Sequence, residues 1–177
     1  MKTGYKIFAV ITGLILSLSV TNAQSKALGL AFSVTGVGLS YEHHAESDNF
    51  LTLDLGIDAD DYMWSRSEHL GGSLSLVWNM VFAERKSQYG NIMRFFAGPG
   101  VMAGYVTDLG NVPGAAFGMK GRIGMECKFQ RSIVLSASLS PILGCHLTTR
   151  NDEIRMRLYK SGLLQTIIPE IGIKYSF

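Results

Sequence analysis

After residue 24 no stretch of the sequence sustains a helical period. No apolar run reaches the ~20 residues that span a bilayer as a helix. Together these absences argue against a helical bundle, in water or in lipid. Cysteine is scarce: Cys127 and Cys145 are the only two. Charge of one sign is missing as well. The full chain has 16 Lys+Arg against 14 Asp+Glu, a formal +2. Two of those bases, Lys2 and Lys6, precede the first apolar run, and the chain beyond that run balances to zero. No basic patch argues for nucleic acid.

The N-terminus reads MKTGYKIFAVITGLILSLSVTNAQ. Two lysines precede an apolar run of about fourteen residues, Ile7 to Val20. Thr21-Asn22-Ala23 then places small residues at a cleavage site. The expectation is a secretory signal peptide over 1–23 and one domain over 24–177. With Gln24 rather than a cysteine directly after Ala23, a lipid-modified N-terminus is not expected.

The rest alternates. Eight segments read as strands: Ala27–Val34, Gly36–His44, Phe50–Ile57, His69–Phe82, Asn91–Val106, Ala115–Phe129, Ile133–His146 and Leu163–Phe177. Successive side chains on a strand point to opposite faces. In the sixth segment Phe117, Met119, Ile123, Met125, Cys127 and Phe129 share one face. Lys120, Arg122, Glu126 and Lys128 share the other with Gly118 and Gly124. The last segment sets Ile167, Pro169, Ile171, Ile173, Tyr175 and Phe177 against Glu170, Gly172, Lys174 and Ser176.

Alternation allows two solutions. A soluble, lipocalin-like barrel or a sandwich turns its apolar face inward. An outer-membrane barrel turns it to lipid and lines its lumen with polar groups. Three features favour lipid. The apolar face is nearly unbroken, aromatics such as Tyr41, Phe82, Tyr105, Phe129 and Tyr175 fall near strand ends, and the opposite face is rich in Gly and Ser. The expected fold class is an all-β, eight-stranded, antiparallel up-and-down transmembrane barrel.

A final amphipathic strand closing on Phe resembles the C-terminal recognition signal of bacterial outer-membrane barrels. Ile171, Ile173, Tyr175 and Phe177 match that pattern. The resemblance implies reading by the barrel-insertion machinery and an outer-membrane address. FFAGPGVMAGY, GMKGRIGMECKF, SLSPILGCHL and PEIGIKYSF also resemble small outer-membrane barrels of Bacteroidota-type bacteria, of the OmpA/OmpX-like eight-stranded kind. This second resemblance covers most of the chain after residue 24 and implies a fold and an address but no activity.

Loop lengths offer a consistency test. Long connections are expected after strands three (DADDYMWSRSE) and seven (LTTRNDEIRMRLYKSG), and a moderate one after strand five. Pro99 lies mid-strand, where it removes a ladder donor, so a local bulge is expected there. Pro141 raises the same objection more mildly.

Parity sends Glu42, Asp54, Arg94, Lys120, Arg122, Glu126, Lys128, Glu170 and Lys174 to the lumen. An eight-stranded barrel is only just wide enough for its own side chains. A paired, closed plug is expected rather than a conduit. Lipid A-modifying barrels offer a second reading: their deacylases carry His-x-Ser facing lipid. Here His146-x-Thr148 has Thr for Ser, and parity turns His146 inward. His43 and His44 point to opposite faces and cannot share one metal. Asp58, Asp60 and Asp61 lack the spacing of a calcium loop. With Tyr62 and Trp64 they are candidates for a recognition tip. GPGVMAG departs from the dinucleotide fingerprint, and no helix follows it. The two cysteines map roughly 30 Å apart at ~3.3 Å per residue, beyond the ~7 Å between Cα atoms that a disulfide tolerates, so free thiols are expected.

The expected function is a structural or surface-binding barrel whose exposed loops meet a protein or glycan. The alternatives are a lipid A-modifying enzyme, a narrow channel and a soluble lipid-binding barrel. The expected surroundings are outer-membrane lipid. No catalytic constellation, cofactor, metal or nucleic-acid partner is expected, and the barrel is expected to be a monomer.

Overall fold

The computed structural model describes residues 26–33, 36–44, 49–58, 71–88, 90–108, 112–129, 132–150, 153–164 and 166–177. The residues assigned to the signal peptide, and Asp60, Asp61, Tyr62, Trp64 and His69, lie outside them. The elements are β1 (Lys26–Ser33), β2 (Gly36–His44), β3 (Asn49–Asp58), β4 (Gly71–Lys86), β5 (Ile92–Asp108), β6 (Val112–Lys128), β7 (Ile133–Leu139), β8 (Ile142–Arg150), β9 (Glu153–Leu158), α1 (Lys160–Leu164) and β10 (Glu170–Ser176).

Every pairing is antiparallel, and the sheet closes on itself through β5 with β6 and β1 with β10. Eight staves form the ring. β7 and β8 are one stave: Ile123 faces Leu139 and Lys120 faces Ile142 in a single register. Pro141 marks the break between them, and its carbonyl still accepts from the Gly121 N–H at 2.8 Å. β9 and β10 form the eighth stave. The result is a closed, eight-stranded, antiparallel β-barrel. Lys26 and Phe177 pair at one end, called the near end here. The opposite end is the far end. Among the described residues no helix is long and apolar enough to cross a membrane.

The period-2 pattern explains the sense of the wall. Leu55, Leu74, Trp78, Val101, Met119, Leu135 and Ile173 are exposed on the outside. Glu42, Asp54, Asn79, Arg122, Glu126 and Lys174 are buried inside. Glycine serves where backbones approach. A β-carbon on Gly98 would overlap the Trp78 carbonyl oxygen, and one on Gly104 would overlap Gly72.

Four sequence expectations are corrected. The eighth strand does not run from Leu163: Leu163 lies in α1, and Ile167 and Pro169 lie in the turn after it. Between the pairs Cys145–Leu158 and Ser138–Glu170, stave seven advances seven residues while stave eight advances twelve. The excess cannot stay in the ladder and folds aside as α1 and its turn. Pro169 ends that excursion, because a residue before proline avoids the helical region. Second, most of the long connection expected after stave seven is strand, because Thr148 to Arg150 and Glu153 to Leu158 belong to one antiparallel ladder. Third, Pro99 creates no bulge. The register shift falls between Val81 and Ala83, around Phe82. Fourth, β4, β5 and β6 reach 16, 17 and 17 residues, longer than the alternation alone suggests.

Candidate functional site

The polar face of alternating strands converges in the lumen. Asp54 of β3 is the hub. Its Oδ1 accepts from the Ser40 hydroxyl at 2.7 Å, and its Oδ2 accepts from Ser75 at 3.2 Å. Arg122 of β6 reaches the same Oδ2 at 2.6 Å and Lys120 reaches it at 3.4 Å. Arg122 also binds Glu170 of β10 at 3.0 Å, and its Nε meets Ser140 at 3.3 Å. Two carboxylates and two cations thus cross-brace β3, β6 and β10. Each serine beside them supplies a hydroxyl that a buried charge needs in place of water.

A second group lies toward the near end. Lys174 pairs with Glu42. Arg94 bridges Glu84 at 3.0 Å and Glu126 at 3.6 Å. Lys128 donates to Ser176 at 3.0 Å. Asn79 donates to Thr52 at 2.8 Å. Glu42, Asp54, Glu126 and Glu170 therefore stand among Arg94, Lys120, Arg122, Lys128 and Lys174 along the inside of the ring.

The far half of the lumen is filled differently. Tyr159 packs with Met102, Val106, Ala116 and Ile142 in a buried apolar cluster. The His146 ring stacks on Tyr159 with centroids 6.1 Å apart, and its Nε2 lies 3.2 Å from the Val106 carbonyl. Asp108 Oδ1 accepts from the backbone N–H and the hydroxyl of Ser161, at 2.9 and 3.1 Å, and so caps α1. Gly162 lets α1 lie against Ile142, since a β-carbon there would meet its Cβ at 2.8 Å. Small inward residues make the room: Ala31, Gly38, Gly56, Ser73, Gly104 and Ala116 follow one another in register around six staves. What remains is a cavity of about 60 Å³ between Asp54, Lys120, Glu170 and Tyr159. That volume holds only a few waters.

The sequence-derived sites are placed as follows. Asp54, Lys120, Arg122 and Glu170 meet in one network, and Glu42, Arg94, Glu126 and Lys174 line the nearer half. Ile171, Ile173, Tyr175 and Phe177 point outward and are exposed. Asp58 ends β3, opposite Gly36 and Gly71. His146 and Thr148 are buried on the inner face. Cys127 and Cys145 are free thiols. Parity misses Tyr159, Ser161 and Asp108, because it ends the fifth strand at Val106 and reads 147–162 as a loop. The signal that reveals them is the alternation in EIRMRL, which continues the seventh stave into a hairpin.

Compared with protein-family models, with curated proteins and with solved structures, the chain matches none.

Proposed function

We propose that the protein is an outer-membrane β-barrel with a closed lumen, acting as a structural or surface-binding element through its far-end loops. One observation carries this reading: the ring is apolar outside and charged inside. Burying ions in a lumen while exposing Leu, Ile, Met, Phe and Trp to water would forfeit both solvation and burial. Lipid around the outer face removes the conflict. The ten residues of β3, at ~3.3 Å each and tilted by about 40°, cover about 25 Å, the height of an outer-membrane apolar band. Tyr105 and Phe32 stand at the far rim of that face; Phe82, Phe129 and Tyr175 stand at the near rim. Under this reading residues 1–23 act as the export signal. Ile171, Ile173, Tyr175 and Phe177 are what the insertion machinery reads, and the far end faces the exterior.

The test is fractionation of cells expressing the chain, followed by gels of the outer-membrane fraction with and without boiling. A band there that shifts on heating is expected. A soluble protein with no shift would overturn the reading.

A further inference from the structure

Among the described residues β9 is paired on one side only, with β8, and its six residues hold one register without a bulge. Its other edge looks toward β1. That strand stops at Ser33 and meets β10 only as far as Ile171. No described strand takes up the N–H and C=O groups of the β9 edge. Such an edge is a template for another strand. A comparable edge at the near end, β4 beyond Met80, is blunted by the bulge at Phe82 and by Glu84, Arg85 and Lys86.

The β9 edge also stands clear of lipid. Asp54 lies in one row of paired residues with Ser75, Met102 and Gly118, yet it meets Arg122, four residues closer to the near end of β6 than Gly118. Rows therefore climb toward the far end from β3 to β6, by about 10 Å over three strand spacings at ~3.3 Å per residue and a tilt of about 40°. Met156 shares a row with Tyr105 through Ala115 and Leu147, three spacings on. It thus rises about 10 Å beyond the far-rim Tyr105, and Ile154 about 15 Å. Lipid covers Leu55 or Trp78 but does not reach these two, which are 67% and 76% exposed. On the inner face of β9, opposite Thr148 and His146, stand Arg155 and Arg157, both exposed. Arg155 has a contact within the chain, so Arg157 is the cation placed to meet a partner.

We propose that the β9 edge binds an extended, acidic segment of another protein by strand addition. The partner's backbone bonds the open edge, its apolar side chains cover Ile154 and Met156, and its alternate carboxylates face Arg157 and Arg155. The inference rests on the outer-membrane reading and deepens its surface-binding part. A second copy does not fit the edge. In one membrane an antiparallel β9 pair would turn one barrel upside down. A two-fold axis along the membrane normal would cross the two tilted strands at about 80°.

The test uses the folded full-length barrel in detergent and a labelled peptide of alternating valine and glutamate, long enough to span β9. Fluorescence anisotropy compares it with the valine–lysine peptide and with its fully N-methylated form, which keeps the side chains but loses the backbone donors. The acidic peptide is expected to bind at least tenfold more tightly than either. Arg157→Glu is expected to lose that advantage, and Arg85→Gln at the near end is expected to keep it. Equal binding of the N-methylated peptide, or of the acidic peptide to Arg157→Glu, would overturn the proposal. So would a disulfide-linked dimer in outer membranes of a Met156→Cys chain lacking Cys127 and Cys145, which would assign the edge to self-association. Each variant is first checked for the heat-shifted band of a folded barrel. Absence of that band from wild-type outer membranes would overturn the membrane reading and this inference together. Failed binding with the band intact would remove only the strand addition.

Discussion

The guanidinium of Arg122 lies 2.6 Å from the carboxylate of Asp54, although 68 residues separate them in the chain. β3 and β6 are not neighbours in the ring, so this contact spans the lumen. It braces the barrel from within, as hydrogen-bond ladders brace it around the wall. The brace is only as good as its completeness. Asp54 has four partners, and Arg122 has three.

Removing one partner should therefore cost more than removing both. Arg122→Ala leaves Asp54 short of its best cation, and breaking a buried pair costs about 3–5 kcal/mol. Replacing Asp54 and Arg122 together by Leu and Met is expected to recover most of that loss. Urea unfolding of the barrel in lipid vesicles, followed by the gel shift, measures all three proteins. A single variant as stable as wild type would mean that water solvates the lumen charges.

Gly98 sets a second test. A β-carbon there would overlap the carbonyl oxygen of Trp78 on β4. Gly98→Val should keep the barrel from closing and abolish the heat-shifted band. Ala103→Val, on the exposed face of the same strand, should leave the band intact. A normal band from Gly98→Val would refute the close approach of β4 and β5.

The filled lumen predicts silence in a planar bilayer. Wild type is expected to give no stable openings. Tyr159→Ala removes a buried aromatic side chain and should lose about 3 kcal/mol. It should still not conduct, because the Asp54, Lys120, Arg122 and Glu170 network crosses the lumen below Tyr159. Stable openings in wild type would refute the closed lumen. Openings in Tyr159→Ala alone would locate the whole barrier at Tyr159.

Much of this geometry is legible in the amino-acid order. Period-2 alternation puts Lys120, Arg122 and Glu126 on one face of β6 and Met119, Ile123 and Met125 on the other, and one buried face fixes register strongly. Which charges meet is not legible, because Asp54 and Arg122 come together only through ring closure. The eighth stave misleads for a different reason. Leu163, Leu164, Ile167 and Ile168 mimic strand apolarity, but the ladder on stave seven is five residues too short to hold them. Pro99 misleads because a missing donor costs little where the rung is open. The pairs on either side of it, Val77–Gly100 and Met80–Ala97, keep one register.

Trp78 tests the sense of the barrel directly. It is outward and 46% exposed, midway among the outward residues Leu74, Leu76, Met80 and Phe82 of β4. With lipid outside, its indole sits near the middle of the apolar band. In a Trp64→Phe background Trp78 is the only tryptophan. Spin labels placed midway down the acyl chains of reconstituted vesicles should quench its fluorescence strongly, and labels on the headgroup weakly. The emission should be blue-shifted relative to the urea-unfolded chain, since the ring leaves water for hydrocarbon. Equal, weak quenching at both depths would mean that Trp78 never meets lipid. The outer-membrane reading would then fail at the observation that carries it.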